Sequence, residues 1–493
     1  MWGFPRETQK IGFSVLSRSD LNAIHWATLD LLETTGMKIS SEKCLKILKQ
    51  AGCTVDLKKG SALIPPYLVE EALRKTGRSI RLCARNPKYD ANLDGRHVYI
   101  TTDGNGTHAF DLETDRRRTS AKDDIARSAI VADALDAVHI YWPMVSSQDF
   151  PAHIRHLHDL DAALMNTEKH VTVETTTDPF EAQYIIDMAA AVAGGTEQLR
   201  KKPIVSSLHC TSAPLQVNGQ CLEAALKYAE AGVPIMFMGM PQPGATGPVT
   251  LAGSLVVNNA EVLACFTVAQ LACPGSSVIY SGGIAAFDMK TCMRAGGGPE
   301  HGLAGAACGE LARFYGVPSL VGGFVSTAKK PGAQASYEKL TSGVPAVFAG
   351  CDMIAGMGLV CDCTALALEE LVIDSEIAKI VFRLAQGIEV NDDTLALDLI
   401  RKVGQGGNFL AERHTLNYLR KEHFLPELTD RRPYETWLKD GGKDIVRKAK
   451  EKVKTILEKH RCTPLDEAVQ KEIREIISKA DQNLAEPKKG GVR

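Results

Sequence analysis

Residues 203–240, PIVSSLHCTSAPLQVNGQCLEAALKYAEAGVPIMFMGM, decide the fold. A short β-type run, PIVSSLH (203–209), leads into a helical pattern, NGQCLEAALKYAEAG, and then into a second β-type run, PIMFMGM (234–240). Gly232 stands at the junction, where a helix commonly ends on a glycine in the left-handed region. A strand, a helix and a strand in that order form a βαβ unit, whose two strands lie parallel in one sheet.

Outward from this stretch the alternation repeats. VYITT (98–102), HIYWPMVSS (139–147) and HVTVETT (170–176) precede it; SSVIYSGG (276–283), PSLVGGFVS (318–326) and DMIAGMG (352–358) follow. Helical patterns such as SAKDDIARSAIVADALDA, DPFEAQYIIDMAAAVAGG and PEHGLAGAACGELARFYG lie between them, and Gly316 and Gly350 close helices ahead of strands. About eight parallel strands is the number at which such a sheet closes on itself. An open dinucleotide-binding sheet would carry G-x-G-x-x-G where the first helix opens, and that motif is not found. The reading is therefore α/β, a (β/α)8 TIM barrel.

The barrel spans 96–387, its outer ring completed by TALALEELVIDSEIAKIVFRLAQG. Residues 1–95 read as an N-terminal helical preface. Ser17 to Asp20 cap LNAIHWATLDLLETTGM, Ser40-Ser41 open a second helix ended by Gly52, and Pro65-Pro66 open a third. Residues 388–493 read as a C-terminal helical extension packed on the barrel, their lysine-rich helices presenting solvated faces.

With 44% hydrophobic and 24% charged residues, the chain of 493 residues has a globular composition. A formal net charge of -2 gives no ground for a nucleic-acid or anionic-membrane partner. The start, MWGFPRETQKIGFSVLS, reads as no signal peptide, and no apolar stretch runs uninterrupted for the ~18–20 residues of a membrane span. Thirteen cysteines, an odd number set mostly in apolar runs, suit thiols in a reducing, cytoplasmic compartment. No bound metal is expected. Cys361 and Cys363 lack a second cysteine pair, and His153, His156 and His158 lack a neighbouring ligand motif.

In this fold the active site lies at the C-terminal strand ends. That rule selects Asp103, Ser146, Ser147, Gln148, Glu174, Thr175, His209, Met240, Ser281, Ser326, Asp362 and Cys363. Tyr280, Phe324 and the Tyr141-Trp142 pair place aromatic rings near strand ends; they suit a quaternary ammonium, which cannot donate hydrogen bonds, and equally suit a barrel core. Glu174 and Asp103 are acids that must meet a cation or hydrogen bonds if buried. His209 reads as a carboxylate ligand, a proton carrier or a structural histidine. The run Gly296-Gly297-Gly298-Pro299 offers backbone N–H groups to an anion but lacks the lysine of a phosphate loop. No G-x-S-x-G elbow, Walker A loop or H-E-x-x-H motif is present.

Several long motifs carry a resemblance. They are LSRSDLNAIHWATLDLLETTGMKISSEKCLKILKQAG (16–52), IPPYLVEEAL (64–73), FDLETDRRR (110–118), GGFVSTAKKPGAQASYEK (322–339), LALEELVIDSEIAKI (366–380), AERHTLNYLRKEHFLPEL (411–428) and YETW (434–437). The chain resembles the trimethylamine:corrinoid methyltransferase superfamily over nearly its full length, in the branch without pyrrolysine that includes glycine betaine methyltransferases. In the relatives that use pyrrolysine, that residue falls in the segment aligned with GMGLVCDCTALALEELVID, at Cys363 or a close neighbour. Against the family pattern S-D-A-K-x-x-D-x-Q-A, Thr327 and Gly332 replace the two acids while Lys329, Gln334 and Glu338 match.

The resemblance implies methyl transfer from a small amine to a corrinoid, cob(I)alamin becoming methylcob(III)alamin, carried by a cognate corrinoid protein. It also implies a homo-oligomer. Without pyrrolysine the substrate expected is a quaternary amine, a betaine above all, because its leaving group is already a neutral amine. The expected pocket sets Tyr280 and Phe324 against the ammonium with Glu174 beside it, and His209 and Lys329 at the carboxylate end; Asp103 and Gln334 complete it. Two other readings stand: a barrel lyase or aldolase using Lys329 as a Schiff base, and a non-catalytic quaternary-amine-binding protein.

Overall fold

The computed structural model describes residues 2–104 and 106–484; Met1, Asn105 and residues 485–493, the end of the expected extension, lie outside the described residues. The eight expected β runs are the barrel strands in the expected order. They are β1 (His97–Thr102), β2 (Ile140–Tyr141), β3 (His170–Val173), β4 (Val205–Cys210), β5 (Ile235–Gly239), β6 (Val278–Gly282), β7 (Ser319–Gly322) and β8 (Met353–Met357). Each pairs in parallel with the next, and β8 pairs back to β1. The outer ring consists of α1 (Lys122–Ala134), α2 (Arg155–Asn166), α3 (Pro179–Ala193), α4 (Gly219–Glu230), α5 (Leu251–Ala272), α6 (Pro299–Tyr315), α7 (Ala333–Ala349) and α8 (Leu368–Ala385). α5 is long and apolar enough to cross a membrane, but most of it is buried within the ring.

Alternation along the strands sets what faces inward. Leu208, Met236 and Ile279 pair in register on β4, β5 and β6 and join the inner core with Leu320 and Met353. One residue on, His209, Phe237 and Tyr280 also pair in register and therefore face the helices. Phe237 and Tyr280 accordingly belong to the core between strands and helices.

The flanks differ from a purely helical preface. The three expected helices are present at Arg18–Thr34, Glu42–Gln50 and Pro66–Lys75. Ser17 and Asp20 close a reciprocal capping box on the first, and the Ser41 hydroxyl accepts the Cys44 N–H (3.0 Å) on the second. Between them runs a small sheet of Met37–Ile39, Thr54–Asp56 and Ser61–Leu63, joined by Gln216–Val217 from the β4 loop. A hairpin of Ile80–Leu82 and Ala91–Leu93 plugs the barrel floor against Tyr99. Phe4–Pro5 adds an antiparallel edge at the start of β1, with Phe4 opposite Val98. These short strands carry too few residues to show a period-two pattern in sequence. At the other end, helices Ile445–Lys459 and Glu467–Leu484 pack on α8 and α3.

The seam between β8 and β1 contains a register shift between Ile354 and Met357. Gly356 occupies it with φ of 138°, and a Cβ there would lie 1.7 Å from the Gly323 carbonyl oxygen. No rotamer can relieve a clash between two backbones. Gly356→Ala should therefore lower stability by about 3 kcal/mol or more in urea unfolding, combining an unfavourable φ with overpacking. A change within ~0.5 kcal/mol, the ordinary surface value, would show that this seam is not tightly packed.

Candidate active site

Two hairpins partly roof the mouth. After β1, His108–Phe110 pairs antiparallel with Arg117–Thr119. After β8, Leu359–Val360 pairs with Ala365–Leu366, which also pairs with His108 and Ala109. The turn of this second hairpin is Cys361-Asp362-Cys363, with φ of 58°, 55° and 63°. Left-handed backbone costs a residue bearing a Cβ roughly 1–2 kcal/mol. The turn is pinned because the Cys361 N–H donates to the Ala328 carbonyl (2.7 Å) and the Asp362 N–H to the Ser326 carbonyl (2.8 Å). Such over-determined strain clusters at functional sites. Here it brings Asp362 and Cys363 into the wall of the cavity below.

That cavity, 410 Å³ in volume, opens at the C-terminal ends of the strands. Its walls include Asp103, Trp142, Glu174, Leu208, Cys210, Met238, Met240, Arg294, His301, Val325, Asp362 and Cys363. Trp142 Nε1 donates to Glu174 Oε2 (3.0 Å), and the Thr175 N–H donates to Glu174 Oε1 (2.9 Å). Burial pushes the Glu174 carboxyl above its ordinary range, against the pull of Thr175 and His156, and the Asp103 charge adds to the rise. The ring of Trp142 lies against Gly104, where a Cβ would come within 2.0 Å of the indole nitrogen. The tryptophan and the glycine therefore require each other.

Arg294 Nη1 donates to Asp362 Oδ1 (2.7 Å). Burial pushes the Asp362 carboxyl and the Cys363 thiol up, and for the thiol the charge of Asp103 adds to it. Cys363 is thus held as the thiol, a poor nucleophile. His301 bonds the Ile284 carbonyl through Nδ1 (2.7 Å), and burial lowers its pKa to about 4. It is a neutral imidazole whose Nε2 is buried without a protein partner among the described residues. Among the described residues lining the cavity, three carboxylates (Asp103, Glu174 and Asp362) face one guanidinium (Arg294) and one indole (Trp142).

Of the residues expected from sequence, Asp103, Trp142, Glu174, Thr175, Met240, Asp362 and Cys363 come together in this wall. The others do not. Tyr280 points outward, its hydroxyl bonded to Asn258 and Asn259 on α5 (3.2 and 3.0 Å), because its strand parity is opposite to that of Ile279. Phe324 is fully buried and packs against Gly343 of α7. His209 faces the helices, near Ser207 (3.1 Å) and Cys221 (3.6 Å). Lys329 is exposed on the outer loop, its Nζ donating to the Thr327 carbonyl (2.9 Å). Gln334 is exposed and donates to Glu338 (2.9 Å), a carboxylate that also accepts from Ser326 and Thr327. The Gly296–Gly298 run packs on the carboxylates of Glu338 and Asp362, so it is a close crossing and not an anion cradle.

The cavity's aromatic face is Trp142 alone of the four rings considered, since Tyr141 turns out to bond Ser128 and the Ile125 carbonyl. Arg294 and His301 were missed. Arg294 lies in a loop hairpin with Phe287–Asp288, beyond any strand-end rule, and His301 sits on the first turn of α6. The glycine run just before His301 was the one sequence signal near them.

A closed (β/α)8 barrel with an acid-lined, tryptophan-faced cavity at its C-terminal strand ends has the form of a small-molecule site. The family model "Trimethylamine methyltransferase (MTTB)" matches residues 4–485. The chain is 36% identical to trimethylamine methyltransferase MttB2 of Methanosarcina mazei over 97% of each chain. It is 35% identical to trimethylamine methyltransferase MttB of Desulfitobacterium hafniense, over 95% of this chain and 94% of that one. It is 32% identical to the glycine betaine methyltransferase of Desulfitobacterium hafniense, over 87% of this chain and 89% of that one. The chain belongs to the trimethylamine methyltransferase family.

Behind Glu174, His156 Nδ1 pairs with Glu181 Oε1 (3.1 Å). Burial alone would lower its pKa, but the Glu181 hydrogen bond and charge, with Asp159 and Glu174, outweigh it and raise the pKa to about 9. A raised imidazole contributes stability that is full below its ordinary value of about 6.5 and is lost as pH climbs through the folded value. His156→Gln should therefore cost about 2 kcal/mol near neutral pH and flatten the decline in stability between pH ~6.5 and ~9. Unfolding midpoints measured across that range check it; an unchanged pH profile would place the proton elsewhere.

Proposed function

We propose that the chain takes a methyl group from a quaternary amine, of the betaine class, and delivers it to the cobalt of a corrinoid held by a partner protein. The observation that carries this reading is the cavity's charge pattern, with an indole face and three carboxylates for a diffuse cation and one arginine for a carboxylate. A quaternary ammonium is recognised by aromatic faces and surrounding negative charge, and Trp142, held by Glu174, offers such a face. Arg294 takes the carboxylate role for which Lys329 and His209 are misplaced, because it alone reaches the cavity wall. Ordinary residues occupy the turn at Cys361–Cys363. A quaternary amine fits that turn, since the C–N bond pair stays on nitrogen and a neutral tertiary amine departs without a proton transfer. The similarity to a glycine betaine methyltransferase agrees with it.

A reduced corrinoid supplies the nucleophile that receives the methyl group. The mouth fits so broad a group and its carrier. Met240, in the cavity wall, and Val249, Met289 and Met293 stand exposed on the loops after β5 and β6. The chain's own work is to position the amine and exclude water. Residues 96–387 form the catalytic unit in this reading, with 1–95 and 388–493 as additions, and thirteen free cysteines suit a cytoplasmic setting. The Schiff-base alternative loses its amine, since no lysine is among the described residues lining the cavity.

The test mixes purified protein with a reduced corrinoid carrier and glycine betaine, proline betaine, carnitine, choline or trimethylamine, and follows the corrinoid spectrum. A quaternary amine should drive methylation of the corrinoid and trimethylamine should not. Equal turnover of trimethylamine would overturn the substrate class, and binding without methyl transfer would leave a binding protein. Trp142→Leu should weaken substrate binding by about 0.5–2 kcal/mol, the scale of a cation–π contact. Arg294→Met should impair a betaine more than choline, which has no carboxylate; equal losses would remove Arg294 from the substrate's carboxylate end.

A further inference from the structure

Two side-chain atoms of residues in the cavity wall are buried with no hydrogen-bond partner among the described residues, Thr175 Oγ1 and His301 Nε2. The threonine hydroxyl can turn to donate or accept as its surroundings require. The imidazole has no such freedom. Its Nδ1 lies 2.7 Å from the Ile284 carbonyl, which only accepts, so Nδ1 carries the ring hydrogen and Nε2 a bare lone pair. Burial, with the charge of Arg294 added, holds the ring neutral. The residue is 1% exposed, and its ring edge lies over the backbone of Gly322, where a Cβ would come within 2.6 Å of Nε2. A buried acceptor that meets no donor forfeits the hydration it had in the unfolded chain, so a ligand that brings a donor gains by filling it.

Position decides which part of a ligand meets that lone pair. Around the closed ring, β6 and β7 stand four strands from β2 and β3. Trp142 and Glu174, the face for the ammonium, follow β2 and β3, whereas Arg294 follows β6 and His301 opens α6 between β6 and β7. The acceptor thus belongs to the side of Arg294, whose charge it feels, and across the cavity from the indole.

We infer that His301 Nε2 accepts a hydroxyl hydrogen from the substrate, and that the substrate is a betaine whose carbon chain carries a hydroxyl between its ammonium and its carboxylate. A quaternary nitrogen and an ionised carboxylate have no N–H or O–H, so only a hydroxyl can supply the donor. The hydroxyl requirement rests on the quaternary-amine reading, because a protonated tertiary amine would present an N–H to the same lone pair. A site built to hydrogen-bond its substrate rejects the analogue lacking the donor, since the lone pair then stays buried and unmet.

Titration calorimetry on the purified full-length chain, without any corrinoid carrier, tests this with carnitine and γ-butyrobetaine, which differ by the hydroxyl oxygen alone. Wild type should bind carnitine at least about tenfold more tightly. His301→Asn keeps an amide able to donate to the Ile284 carbonyl and removes the acceptor; it should abolish the preference, with the loss falling on carnitine. His301→Gln sets an amide oxygen near the place of Nε2 and should restore part of it. Equal affinity of wild type for the two ligands, as when a water occupies Nε2, overturns the hydroxyl contact and leaves the quaternary-amine reading standing. Equal loss of both ligands in a folded His301→Asn makes the imidazole a structural support and overturns the contact. Binding of trimethylamine and of neither betaine overturns the contact and the quaternary-amine reading together. The wild-type comparison needs no variant, so a folding defect in His301→Asn does not remove the test.

Discussion

Hydrogen bonds between β8 and β1, with Tyr99 opposite Met353 and Ile100 opposite Ile354, turn an open sheet into a closed ring, and everything at the mouth hangs on that seam. Where it slips, a buried charge cluster holds the chain. Asp374 of α8 accepts the Gly358 N–H (2.6 Å) and the Lys339 ammonium (2.5 Å), and Lys339 reaches the Gly356 carbonyl (3.5 Å). Beside them burial, with the Asp374 charge added, pushes the Glu370 carboxyl up. Removing one partner of such a buried pair costs far more than the pair contributes over apolar residues, because a bare charge remains. The cluster acts as a latch, holding the start of the hairpin whose strained turn presents Asp362 and Cys363.

The cavity below follows from that hairpin and from one hydrogen bond across strands. Trp142 and Glu174 end β2 and β3, and their contact fixes the indole and one carboxylate oxygen together. Gly104 leaves the ring room to lie flat. Arg294 then balances Asp362 in a site otherwise negative. The arrangement is prepaid in strain and burial before any ligand arrives, as positioning catalysis requires.

The barrel was legible in sequence because eight β runs alternate with long helical patterns, and each run kept its place. Long caps such as Ser17 with Asp20 were legible for the same reason, being local chemistry. The small sheet around Met37–Ile39 was not, since its strands are three residues or fewer and one, Gln216–Val217, comes from far along the chain. At the site, Asp103, Glu174, Thr175, Met240, Asp362 and Cys363 were found by the strand-end rule alone. Tyr280, Phe324 and His209 satisfied the same rule and failed it in space.

Strand position along the barrel axis is local information, carried by where a β run stops, and the amino-acid sequence determined it by itself. Which face of a strand looks inward is not local. Ile279 and Tyr280 are both apolar enough for either side, and only the register shared with Met236 and Phe237 on β5 sends the first to the axis and the second to α5. Arg294 lies further still from sequence reach, since a loop hairpin carries it across to Asp362, 68 residues away. Tertiary structure decided these positions because a parity choice on one strand is settled by its neighbours around a closed ring.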